Sequence, residues 1–197
     1  MWWYEKKFVP EHEFEEGPFY NLSLNKVTIW GVIVFYAILL VINLNTETVF
    51  SLNNFTMMCI APILARLTAI DLKHQLLLNV YVLPLFIIGL INAGISPNMT
   101  LLSSITGAAI SGGSLLALNL LLSKINNKNN IGGGDIKFCF AAGAFIGLEL
   151  LPYFFWLSFF IALIMYPLLK AKNKYISFGP ALIFSLWILL SIHNYFY

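Results

Sequence analysis

From Gln75 to Ser123 the chain carries no Asp, Glu, Lys or Arg. A helix that crosses a bilayer needs roughly 17–25 apolar residues, so this single uncharged run holds two crossings. The break between them falls at NAGISPNMT, Asn92 to Thr100, where Gly, Pro and Asn supply turn chemistry. Leu76–Ile91 and Leu101–Leu122 are the expected spans on either side. The second contains Gly107, Ala108, Ala109, Gly112, Gly113 and Ser114, small residues that let helices approach closely in lipid.

The rest of the chain repeats the pattern. Val27–Leu44 and Phe50–Ile70 precede the long run, and Ile136–Leu150, Pro152–Leu169 and Phe178 to the C-terminus follow it. The expected fold is therefore all-α, a polytopic membrane helix bundle of about seven transmembrane helices. Composition agrees: 59% of residues are apolar and only 10% charged, with mean hydropathy +0.82, against about a quarter charged in a soluble domain. Residues 1–26 read as a polar, partly aromatic leader, 27–48 as an N-terminal helix and link, and 49–197 as a six-helix membrane domain. The leader turns acidic in its second half and does not resemble a cleavable signal peptide.

Charge fixes the expected orientation. The basic residues gather at Lys6, Lys7 and Lys26, at Arg66 and Lys73, at Lys124, Lys128 and Lys137, and at Lys170, Lys172 and Lys174. If seven helices alternate, all of these fall on one side, and the opposite loops contain no Lys or Arg. The positive-inside rule makes that side cytoplasmic, together with the N-terminus, Asp71 and Asp135. The scattered basic residues form no patch for nucleic acid. Cys59 and Cys139 form no CxxC pair and are expected as buried small apolar side chains.

Two carboxylates stand where water gives way to hydrocarbon, a costly position that calls for a function. Asp71 ends the second run, and Asp135 follows three glycines in IGGGDIK. At a shared depth, two carboxylates around one water are the working parts of an aspartyl protease. Like charges so close cannot both ionise easily, so one carboxylate takes the proton and the other keeps it. The bland alternative makes Asp135 a helix cap favoured by the dipole. That alternative is weaker for Asp71, which sits at a helix C-terminus. From spacing alone the two readings stand level.

The neighbouring residues add a resemblance. Gly132-Gly133-Gly134-Asp135-Ile136-Lys137 fits GxGD-(F/I)-K, Asp71 precedes a turn leading to Asn79, and Phe178-Gly179-Pro180 opens the last helix. Together these resemble the type IV prepilin peptidases, membrane aspartyl proteases. The resemblance runs from about Ala65 to Leu182 and departs at Leu78 and Ser177, where the family carries prolines. It implies that Asp71 and Asp135 are the catalytic pair, that Gly132 and Gly134 shape the turn presenting Asp135 in an active-site loop with Gly133, and that Lys137 matches the family's lysine after it. The glycine-rich loop is also the expected mobile gate, since few side chains hold it. It implies no metal and no organic cofactor. Its substrates are prepilins or pseudopilins, cut to remove a short basic leader at the cytoplasmic face of the bacterial inner membrane. Long members also N-methylate the product. This chain shows neither their paired cysteines nor a methyl-donor loop, so peptidase activity alone is expected.

Other residues carry two readings each. Arg66, one turn before Asp71, is placed to pair with it. His74 either tunes the dyad or is an exposed loop histidine. Lys137 is either an electrostatic partner of Asp135 or a snorkelling lysine, and Phe178, Gly179 and Pro180 border the site. Gly143 and Gly147 are expected as packing contacts. Two rival functions remain: a presenilin or signal-peptide-peptidase type of intramembrane protease, and a non-catalytic membrane assembly subunit. The sequence leaves open the oligomeric state and the identity of the substrate.

Overall fold

Six helices make up most of the described chain: α1 Leu52–His74, α2 Asn79–Ile95, α3 Leu101–Asn126, α4 Gly133–Ile146, α5 Leu151–Lys170 and α6 Gly179–Phe196. The computed structural model describes residues 30, 31, 33, 34, 37, 52–74, 76–96, 99–126, 131–170 and 178–196. Among the described residues there is no strand. The leader and the Glu47 link lie outside them. Of the first expected span, residues 30, 31, 33, 34 and 37 are helical, and a Cβ on Gly31 would come 3.3 Å from Ala65 Cβ in α1.

The expected breaks separate helices as they should, but several helix ends move. α1 runs past Ile70 to His74, because nothing in DLKH stops a helix, so Asp71 lies within its last turn. Leu76–Leu78 is an extended link, and α2 begins at Asn79. α3 continues beyond Leu122 to Asn126. The outer helices are covered by their neighbours on one side and bare on the other. Leu102, Trp156 and Ile164 are 72%, 67% and 68% exposed, which water would not tolerate across so wide a surface. Phe55–Leu72 and Leu101–Ile125 are long and apolar enough to cross a membrane, at mean hydropathy 1.6 and 1.7. The fold is an all-α bundle with at least two membrane-spanning helices.

α4 is the centre of this bundle. Only 14 residues long, it packs against α2, α3 and α6, and every residue from Phe138 to Ile146 except Phe140 is buried. Its helix ends on Gly147, whose φ of 66° lies in the left-handed region that favours glycine. Close approach to α3 depends on small residues. A Cβ on Gly107 would fall 2.7 Å from Gly143 O, and Ser104 Oγ donates to Ala144 O at 2.6 Å. That carbonyl is one of the last four of α4, which have no partner within the helix. The packing role expected for Gly143 is met. Gly147 adds a second one by stopping the helix.

α6 joins the other side of the bundle, packing on α1, α4 and α5. Ser158 and Ser185 share a 2.6 Å hydrogen bond across α5 and α6, while Trp187, Leu182 and Ile183 are fully buried. The cysteines divide. Cys139 is buried as expected, but Cys59 is exposed on the outer face of α1. An apolar thiol in lipid has no need of burial within the protein.

Candidate active site

Four helix ends meet at one end of the bundle. They are the last turn of α1 and the first turns of α2, α4 and α6. The opposite end is marked by Thr56 Oγ1 donating to Asn92 Oδ1 at 3.0 Å, which joins the start of α1 to the end of α2. Charged and polar side chains concentrate at the first of these ends, and both aspartates are there.

Asp71 is 2% exposed. It sits at the unfavourable end of its own helix dipole, yet it faces the favourable end of another. Its carboxylate lies against Gly179, the first residue of α6, and a Cβ on Gly179 would overlap Asp71 Oδ2. Glycine here makes room for a side chain of a different helix. Pro180 fits the first turn of α6, where a missing N–H leaves no bond unmade. The helix's own hydrogen bonding begins with Leu182 N donating to Phe178 O at 3.2 Å. Phe178 is exposed and Pro180 buried. The expected FGP element thus borders the first aspartate through Gly179.

Asp135 is half-buried in the first turn of α4. There the dipole and the free N–H groups favour a carboxylate. Gly132 takes the N-cap position with φ −61° and ψ 130°, and Ile136 N donates to its carbonyl at 3.3 Å. The carboxylate folds back over this cap, so that a Cβ on Gly132 would lie 3.1 Å from Asp135 Oδ2. One residue earlier, Ile131 N donates to Asn119 Oδ1 of α3 at 3.1 Å. Asp71 is close enough for its charge to bear directly on Asp135. The two carboxylates, 64 positions apart in the chain by number, lie at the same end of the bundle.

The glycine run differs from its expected form. Gly133 and Gly134 already belong to α4, while Ile131 and Gly132 lie outside the helix, so the second half of IGGGDIK is a helix start. Gly133 has open space around its Cα, whereas a Cβ on Gly134 would come 2.9 Å from Leu77 Cβ and 3.3 Å from Leu77 N. Gly134 therefore brings α4 onto the link that follows Asp71. Lys137 carries two readings, as an electrostatic partner of Asp135 or as a snorkelling lysine, and its hydrogen bond goes to another helix. Its Nζ donates to Asn79 Oδ1 at 2.9 Å, and its side chain is exposed.

Arg66 is half-buried on α1. His74 closes α1, and its side chain lies outside the described residues. Asn79, Leu77 and Asn119 join the site's framework without having been singled out as site residues. For Asn79 alone the sequence held a signal, its place after the turn that begins at Asp71. Among the described residues, no group of three or more His, Cys, Asp and Glu is set to hold a metal ion.

Residues 57–166 match the type IV leader peptidase family. The chain belongs to that family. It is 33% identical over 136 residues to a prepilin leader peptidase/N-methyltransferase of Vibrio cholerae, covering 68% of this chain and 54% of that protein. A protein of the same name from Neisseria gonorrhoeae is 34% identical over 135 residues, 66% of this chain and 46% of the relative. A third, from Pseudomonas aeruginosa, is 33% identical over 132 residues, 64% and 46% respectively. The chain thus spans about half the length of the curated relatives it matches. No solved structure matches it. Both aspartates and the whole of IGGGDIK fall within the family match. Gly179 lies beyond it, so its contact with Asp71 is a feature of this fold that the family match does not carry.

Proposed function

We propose that this inner-membrane protein is an aspartyl endopeptidase that removes the short basic leader from prepilin or pseudopilin substrates. Asp71 and Asp135 are its catalytic pair. The observation that supports the proposal is that Asp71 and Asp135 lie at the same end of the bundle, near enough for the charge of one to act on the other, in a chain of the type IV leader peptidase family. Two carboxylates at such range share a proton and titrate as a unit. The ionised partner draws a proton from water, and the protonated partner polarises the scissile carbonyl. This chemistry draws on no metal or organic cofactor.

Orientation follows from charge. Seven alternating helices, with residues 27–48 supplying the first and 49–197 the other six, set the aspartates and the 1–26 leader on the cytoplasmic side. A substrate helix lying along the bundle delivers its leader junction to the depth of the dyad, which makes the attack effectively intramolecular. The GGGD segment begins α4 and presents Asp135 on its first turn. The test is direct: the purified protein, in detergent or bilayer nanodiscs, is given a synthetic prepilin spanning leader and helix. A single cut at the leader junction is expected. No cleavage under any condition tested would favour a non-catalytic assembly subunit.

A further inference from the structure

We propose that Lys137 and Asn79 form a clasp that positions the two aspartates relative to each other. The inference rests on the peptidase function above and assigns a role to Asn79, which touches neither carboxylate in the proposed chemistry. Asn79 is the first residue of α2. It is joined to Asp71 through the last turn of α1 and the extended link Leu76–Leu78. Extended residues of this kind have no helical hydrogen-bond ladder to hold them, and Leu78 stands at φ −73° and ψ 132°. The link is held from outside, by α4.

Two contacts hold it. Gly134 lies on Leu77 so closely that a Cβ would come 2.9 Å from Leu77 Cβ, and Lys137 Nζ donates to Asn79 Oδ1 at 2.9 Å. Gly134 and Lys137 are three residues apart and so share one face of α4. That face is applied to the link and to the start of α2, and Asp135 sits between its two contact residues in the chain. The van der Waals contact sets how near α4 comes, and the directional bond sets its register. The bond also settles where the ammonium goes. Lys137 donates to a neutral amide instead of to Asp135, so its charge is not spent on holding one member of the pair ionised, which would oppose the shared proton.

The measurement is a double-mutant cycle on synthetic prepilin with Asn79→Ala, Lys137→Met and the two combined. Each single change should lower kcat about tenfold, as expected for losing a hydrogen bond to a charged group, with KM nearly constant. The double variant should be no worse than either single, and Asn79→Asp, which keeps an acceptor for the ammonium, should retain most activity. Losses that multiply in the double variant, or an Asn79→Asp variant as impaired as Asn79→Ala, would overturn the clasp. A second arm needs no activity. With Cys59 and Cys139 replaced by Ser and Ala, an Asp71→Cys/Asp135→Cys pair should crosslink severalfold more slowly once Lys137→Met is added. Unchanged crosslinking would reject the clasp even if the protein cut no prepilin, whereas slowed crosslinking without cleavage would reject only the peptidase function.

Discussion

The two ends of the bundle around α4 use the same residue type for opposite purposes. At the end near Gly147, glycine removes a side chain so that two backbones can touch. Gly143 lies on Gly107 and Ala108 of α3, and a Cβ there would meet Ala108 Cα at 2.8 Å. At the aspartate end, glycine clears space for chemistry. Gly179 leaves room for the Asp71 carboxylate, and Gly132 lies beneath that of Asp135. Backbone cannot yield, so crowding the first end costs stability. A carboxylate can rotate away, so crowding the second end costs geometry while leaving the fold in place. Packing against α3 governs the first end, while the second, where Gly134 also packs on Leu77, is bordered by the two carboxylates.

Substitutions can break this division, and the largest effect belongs to the packing end. Gly143→Val should lower stability by about 3 kcal/mol, read as a collapse in membrane accumulation and a lower melting temperature in detergent. Normal accumulation would show that α3 and α4 can separate freely. Gly179→Ala comes next. Prepilin cleavage should fall about 100-fold, the order expected when a reacting group is displaced by about an ångström, while melting changes little. An equal loss of stability would erase the contrast between the two ends. Ser104→Ala removes the 2.6 Å bond to Ala144 O and should cost about 1 kcal/mol of stability with kcat unaltered. The smallest effect is at Gly113, where nothing lies within 4 Å of the place a Cβ would take. Gly113→Ala should be neutral or stabilising by up to about 1 kcal/mol, although its neighbour Gly112 lies against the Phe140 ring.

Much of this was legible in the sequence because lipid imposes strict rules. Long uncharged runs give helices, turn residues at Asn92–Thr100 divide them, and Asp71 and Asp135 stand out because acids are costly at that depth. What was not legible depends on contacts between distant segments. IGGGDIK looks like a loop because glycine is a poor helix former. It nevertheless begins a helix, since Asp135 suits the first turn and Gly134 must approach Leu77. The stretch after Asp71 looks like a turn, yet one more helical turn continues to His74 before the link. Gly113 and Gly112 are indistinguishable in sequence, and only the position of Phe140 separates them. Lys137 could be recognised as a motif residue, but its partner on α2 could not be inferred from spacing, because that bond depends on how the helices pack.

The shared site of Asp71 and Asp135 is tested most directly by purified Asp71→Asn and Asp135→Asn variants assayed on synthetic prepilin beside the unaltered protein. Asn keeps the shape of Asp and removes its ionisable proton. Both variants should be folded, with melting temperatures near that of the unaltered protein, and neither should release the leader. Cleavage that persists in either variant would contradict the pairing of the two carboxylates.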